Sequence, residues 1–291
     1  MQHKSQLSVN PLSGLMRKPK LKITLPSQGK YWPEKSIIQS PDNTYEVYSM
    51  TAKDEMNLKN PTAVTNGDAF VEVIQSCIPA IKNAWHTPNI DIDLILISIR
   101  IASYGTDLNT KVEFNGVFYP CIIDLSVVKD QIETMKKWEE EFKLNDEITL
   151  YLNPVPYKIL AKTTQETVET QKIMDIINDD TASEEKKLNT FKKSFAKLTE
   201  MTMSFVQYSV YKILYNDQEV VDRAFINEFI EKCDTEVFSL IKDRIDQNAI
   251  DRGIKPIKIN ASEEMISAGS DGVIEIPFVF DVESFFKEGM K

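Results

Sequence analysis

The sequence predicts an α+β protein: a mixed α/β N-terminal lobe with a small sheet and a hairpin, then a helical lobe, then returning β-strands. Three observations predict it. Apolar residues alternate with period two at several places in the first 150 residues, between stretches of helical spacing. From about Thr164 to Arg252 there is no proline, and the apolar residues step by three or four. Beyond Gly253 the alternation resumes.

Residues 1–20 read as a flexible basic arm, because Pro11, Ser13, Gly14 and Pro19 interrupt any element and no sustained period appears. The lobe 21–160 opens on a strand with Leu21, Ile23 and Leu25 on one side and Lys22 and Thr24 on the other, ended by Pro26. Ser27-Gln28-Gly29-Lys30 is a turn, and Tyr31 and Trp32 follow it as either core or contact aromatics. After a short strand at Glu46–Tyr48, Thr51 is placed to cap a helix whose first turn holds Asp54 and Glu55, at the positive end of its dipole. Helices are expected over Asp68–Ala84, with Pro79 as a kink or break, and over Asp91–Tyr104, closed by Gly105. Asn115-Gly116 supplies the positive-φ pair for a hairpin within Lys111–Tyr119. A polar amphipathic helix over Val127–Phe142 and a strand over Glu147–Leu152 complete the lobe, and Pro154 and Pro156 mark its boundary.

The helical lobe, 161–253, centres on a long helix whose face carries Leu188, Phe191, Phe195, Leu198, Met201, Phe205 and Tyr208. Two helices follow, Gln218–Cys233 and Asp234–Asp251, the last closed by Gly253. In 254–291, Pro256–Ile259 and Gly272–Phe280 read as strands joined by a Gly-rich turn, returning to the first lobe's sheet, with Pro277 favouring an edge.

The 291 residues have ordinary apolar and charged fractions, which suit one large domain or two packed lobes. The strongest apolar stretch, Leu94–Ile101, is broken by Ser98 and Arg100, so no membrane-spanning run is expected. The first residues lack the layout of a secretory signal, which places the chain in the cytoplasm where it is made. Cys77, Cys121 and Cys233 are widely spaced and read as plain thiols. The net charge is −10, while Lys4, Arg17, Lys18, Lys20, Lys22 and Lys30 all precede the first acid, Glu34. An acidic body makes nucleic acid an unlikely partner, though the basic arm could touch an acidic surface.

No catalytic set is legible. The two histidines are His3 and His86, and neither a P-loop nor a dinucleotide fingerprint occurs. Asp91 and Asp93, Asp179 and Asp180, and Glu139 to Glu141 read as helix starts or exposed faces, with Asp91 and Asp93 as a solvated helix N-terminus. No cofactor, metal or small-molecule substrate is expected.

Lys22-Ile-Thr-Leu-Pro-Ser-Gln-Gly-Lys-Tyr-Trp-Pro-Glu34, then Val47-Tyr-Ser-Met-Thr-Ala-Lys-Asp-Glu55, then Asn60-Pro61 and Asn66-Gly67-Asp68 resemble, in that order, the T4-like bacteriophage baseplate hub family. The likeness continues through Leu94–Arg100 and Ser103-Tyr104-Gly105, and more loosely to Ile123-Asp124-Leu125, covering about the first 125 residues. It implies a non-enzymatic protein, either a hub subunit or an assembly factor, among other baseplate or tail proteins of a contractile tail. It points to Leu25, Pro26, Gly29, Tyr31, Trp32, Met50, Thr51, Lys53, Asp54 and Glu55 as fold-defining or contact residues. Phe191, Phe195 and Phe205 join them from the helical face. Some relatives carry paired cysteines after the Tyr-Gly block in the manner of a zinc ribbon. Only Cys121 stands there in this chain, so no metal carries over. The alternatives are an assembly chaperone absent from the virion, a nucleic-acid-associated factor using the arm, and an undetected hydrolase.

Overall fold

The computed structural model describes residues 12–162, 173, 183–278 and 285–286. The first 11 residues of the expected arm, the start of the expected helical lobe, Asp179 and Asp180 lie outside them. The fold is α+β, with antiparallel sheets throughout.

Strand β1 (Pro19–Thr24) pairs with β2 (Thr44–Tyr48), and Ile23, Tyr45 and Val47 point into the main core. The arm expected over residues 1–20 therefore ends early. Pro19 and Lys20 are already strand, and Arg17 is held by the Ser76 carbonyl at 2.6 Å and the Ser76 hydroxyl at 2.9 Å. Helix α1 (Ala52–Leu58) begins at Thr51 and α2 (Pro61–Thr65) at Asn60. Helix α3 (Asp68–Cys77) stops well short of Ala84, since the chain turns at Ile78-Pro79 and re-enters as a short 3-10 turn at Ala84–His86. Helix α4 (Asn89–Tyr104) is apolar nearly all round and is buried for most of its length, as such a helix must be. Gly105, at φ 90, ends it.

Hairpin β3 (Asp107–Phe114) and β4 (Val117–Asp124) turns at Asn115 and Gly116, both left-handed, with φ of 51 and 78. Asp124 caps α5 (Leu125–Glu133), which is much shorter than the expected Val127–Phe142 helix. The rest of that span includes β5 (Glu141–Lys143), which pairs with β6 (Ile148–Leu152).

The stretch after Thr164 is not wholly helical. Helix α6 (Glu184–Ser209) runs directly into β7 (Val210–Tyr215), which pairs with β6 on one side and β8 (Gln218–Val220) on the other. The turn between β7 and β8 is Asn216-Asp217, both at positive φ. The expected Gln218–Cys233 helix is thus a strand followed by α7 (Arg223–Lys232), and α8 (Thr235–Asp251) comes next. Leu150, Leu152, Val206, Val210, Ile213, Ile226, Ile230, Ile241 and Ile245 form a second core, which draws on residues from both sides of Pro154 and Pro156.

Beyond it, β9 (Ile257–Asn260) and β10 (Val273–Ile276) flank α9 (Glu263–Ser267) and pair with each other, not with the first sheet. They meet the body through packing of Met265 and Ile276 on Val112 of β3, through Ile257 in the main core, and through the Asn115 side-chain N–H, which donates to the Ala268 carbonyl at 3.2 Å. Pro277 follows β10 instead of lying within it.

Candidate functional site

Two of the sequence blocks that carry the family likeness, Lys22–Glu34 and Val47–Glu55, meet α4 at opposite ends. At its start, the turn after β1 folds over Asp91. The Ser27 backbone N–H donates to one carboxylate oxygen at 2.8 Å; the Ser27 hydroxyl, at 2.5 Å, and the Trp32 indole N–H, at 3.0 Å, donate to the other. Asp91 is fully buried, contrary to the expected solvated helix start, and burial pushes its pKa up to about 6 against the pull of those three donors. Asp93 is likewise pushed up to about 6 by burial.

The turn itself is conformationally demanding. Gln28, Gly29 and Tyr31 all have positive φ, at 52, 76 and 69. The Gln39 side chain covers Gly29, donating to its carbonyl at 3.0 Å, so a Cβ there would fall 2.3 Å from Gln39 Oε1. Leu25 and Trp32 are core, whereas Tyr31 is half-buried and donates its hydroxyl to Glu140, which also pairs with Lys30. Burial opposes the charge on Glu140, but the Lys30 and Tyr31 hydrogen bonds outweigh it and hold the carboxyl below its ordinary range. Glu140 adjoins β5 of the second core, so this loop ties the two cores together. Pro26 shares a cavity of about 270 Å³ with Gln28, Ile132, Met135 and Arg252.

At the other end of α4, the Met50 N–H donates to Ser103 Oγ at 2.9 Å, and the Tyr104 hydroxyl donates to Glu55 at 2.8 Å. Between these contacts Thr51 and Asp54 form a reciprocal capping box on α1. Asp54 is buried, accepts from Ser76 Oγ at 3.0 Å, and lies 3.7 Å from Arg17, which stacks on the Tyr48 ring. Lys53 is exposed. Arg100, buried on α4, donates to the Phe285 carbonyl at 3.0 Å, and Phe285 and Phe286 pack in the main core.

Phe191 and Phe195 are far from this clamp in character. They stack on each other at 6.3 Å on α6, and both are exposed, as are Leu188 and Leu198. Phe205, on the last turns of the same helix, is half-buried against the second core beside buried Val206. The helix therefore uses its C-terminal half for the fold and presents an apolar row over its N-terminal half. The periodicity showed the row; it could not show where the core ends beneath it.

Among the described residues no group of three or more His, Cys, Asp or Glu side chains could hold a metal, and no helix is long and apolar enough to cross a membrane. The three cysteines are free, and burial pushes the Cys77 thiol up to about 12, which leaves it a small core hydrophobe. His86 shares a 2.8 Å hydrogen bond with Ser36 Oγ.

A protein-family model described as T4 bacteriophage base plate protein matches residues 16–255, and the chain belongs to that family. A structural role in the phage baseplate, among other tail or baseplate proteins, follows from that membership. No curated protein and no solved structure matches the chain.

Proposed function

We propose that the chain is a built-in component of the hub of a contractile-tail baseplate, assembled in the host cytoplasm and acting through contacts without catalysis. The observation that carries this reading is the exposed row Leu188, Phe191, Phe195 and Leu198 on α6. Each large apolar side chain taken out of water contributes roughly 1.5–3 kcal/mol, so such a row favours lasting burial in an assembly. In this reading Leu25, Pro26, Gly29, Trp32, Met50, Thr51, Asp54 and Glu55 set the fold around α4. Tyr31 ties the cores, Phe205 anchors α6, Lys53 lies on the surface, and Phe191 and Phe195 make the contact.

Phe195→Asp tests it. The isolated variant should keep the wild-type melting temperature, because Phe195 is 64% exposed, while its incorporation into baseplates in an infected host fails. Normal incorporation of a folded Phe195→Asp protein would remove the contact role.

A further inference from the structure

The chain holds two Asn-Gly pairs, Asn66-Gly67 and Asn115-Gly116. Each sets an electrophile beside a nucleophile: the side-chain amide carbon of the asparagine and the backbone nitrogen of the glycine. Glycine, with no Cβ, leaves that nitrogen unhindered and the backbone free to turn toward the amide. Whether the two atoms meet then depends on how firmly the surroundings hold them, and the two pairs differ in this.

Asn66 is pinned. Its Oδ1 accepts from the Asp68 N–H at 3.1 Å, and the Gly67 N–H, which holds the nucleophilic nitrogen, donates to the Val64 carbonyl at 3.2 Å. Gly67 is also closely packed, since a Cβ there would lie 2.9 Å from the Ala161 Cβ and 3.3 Å from the Trp85 ring. Asn115 and Gly116 are both exposed, and they lie beyond the last ladder pair of the hairpin, Phe114 with Val117. The Gly116 N–H donates to no acceptor among the described residues, and nothing stands within 4 Å of a Cβ built on Gly116. The Asn115 side chain is held by one hydrogen bond, from Nδ2 to the Ala268 carbonyl at 3.2 Å, at the residue that closes α9.

We infer that Asn115 is a site of spontaneous deamidation, and that its conversion loosens α9 and β10 from the β3–β4 hairpin. The Gly116 nitrogen loses its proton to hydroxide and attacks the Asn115 side-chain carbon. The new N–C bond closes a succinimide ring, the old bond from that carbon to Nδ2 breaks, and Nδ2 leaves as ammonia after taking a proton from water. Water then opens the ring on either side, giving aspartate or, where the bond to the main-chain carbonyl is cut, isoaspartate. Either product exchanges an amide for a carboxylate, which has no N–H to donate to Ala268. Isoaspartate also adds a backbone atom to a two-residue turn whose length fixes the register of the hairpin. The contact that is lost borders the packing of Met265 and Ile276 on Val112.

Peptide mapping by mass spectrometry of the folded full chain, aged in mildly alkaline buffer, reads the site. The Asn115 peptide should convert at least about tenfold faster than the Asn66 peptide, because Asn66 must first break two hydrogen bonds. In guanidinium, where both pairs are released, the two should convert at similar rates. Asn66 keeping pace in the folded protein, or Asn115 staying intact while the unfolded chain converts, would overturn the assignment. Asn115→Asp reproduces the lost donor without ageing. It should speed amide hydrogen exchange in residues 263–276 roughly twofold to tenfold and leave exchange in α4 unchanged. An exchange pattern identical to wild type would overturn the loosening.

Discussion

Asp91 is a fully buried charge-bearing group, and its cost is set by how well its three donors compensate it. Asp91→Ala removes the acceptor and leaves the Ser27 N–H, the Ser27 hydroxyl and the Trp32 indole N–H buried without partners, at about 1–3 kcal/mol each. We expect that variant to be among the most destabilising single changes at the N-terminal end of α4, as read by urea denaturation. The pH dependence carries a definite sign. Burial holds the folded pKa at about 6, above the unfolded value of about 3.9. Between those values the folded chain binds more protons than the unfolded one, so this group's contribution to stability falls as pH rises from about 4 to about 6. Asp91→Asn keeps an acceptor and removes the titration. Relative to wild type it should gain roughly 1–3 kcal/mol between pH 4 and pH 7. Parallel stability curves for the two proteins would contradict the burial argument. Gly29 is the second residue-scale test. Gly29→Val places a β-branched side chain at φ 76 and displaces Gln39 from the Gly29 carbonyl. It should lower stability by roughly 1–2 kcal/mol, and an unchanged melting temperature would show that the turn relaxes freely.

The elements differ in how openly the sequence announces them. The α1 start was legible because a threonine three residues before an aspartate is a capping arrangement wherever it falls, and Thr51→Ala should cost about 0.5–2 kcal/mol in a thermal melt. The β3–β4 hairpin was legible from Asn115-Gly116 for the same local reason. The β7–β8 hairpin carried only a turn signal, Asn216-Asp217, because Val210–Tyr215 does not alternate cleanly and α6 runs into it without a break. Proline-free sequence permits a helix; it does not require one. Asp91 was misread at the element scale too. An Ile-Asp-Ile-Asp-Leu start looks like a solvated first turn, yet a helix apolar nearly all round is enclosed, and Asp91 then takes its partners from the turn packed over it. On α6 the two halves should separate by mutation: Val206→Asp, in the second core, should unfold the protein, whereas Phe195→Asp should not.

Across the whole molecule, two cores are held together by contacts that the sequence could not pair in advance. Tyr31 and Lys30 reach Glu140 over more than a hundred residues, and Asn89 N–H donates to the Val155 carbonyl at 2.8 Å. The motifs at Lys22–Glu34 and Val47–Glu55 frame α4, and the later part of the same family match, which runs to residue 255, supplies the apolar row. Among the described residues no group of His, Cys, Asp and Glu side chains could hold zinc. Elemental analysis of protein purified without chelator should find well under one equivalent, and one tightly held equivalent would contradict that. The central claim, that the chain is a lasting part of the baseplate, is tested most directly by quantitative mass spectrometry of purified particles of the phage that encodes it. The account predicts its peptides at a fixed whole-number ratio to the other baseplate proteins. Their absence from finished particles, with abundant protein in the infected-cell lysate, would contradict it and identify an assembly factor that leaves before completion.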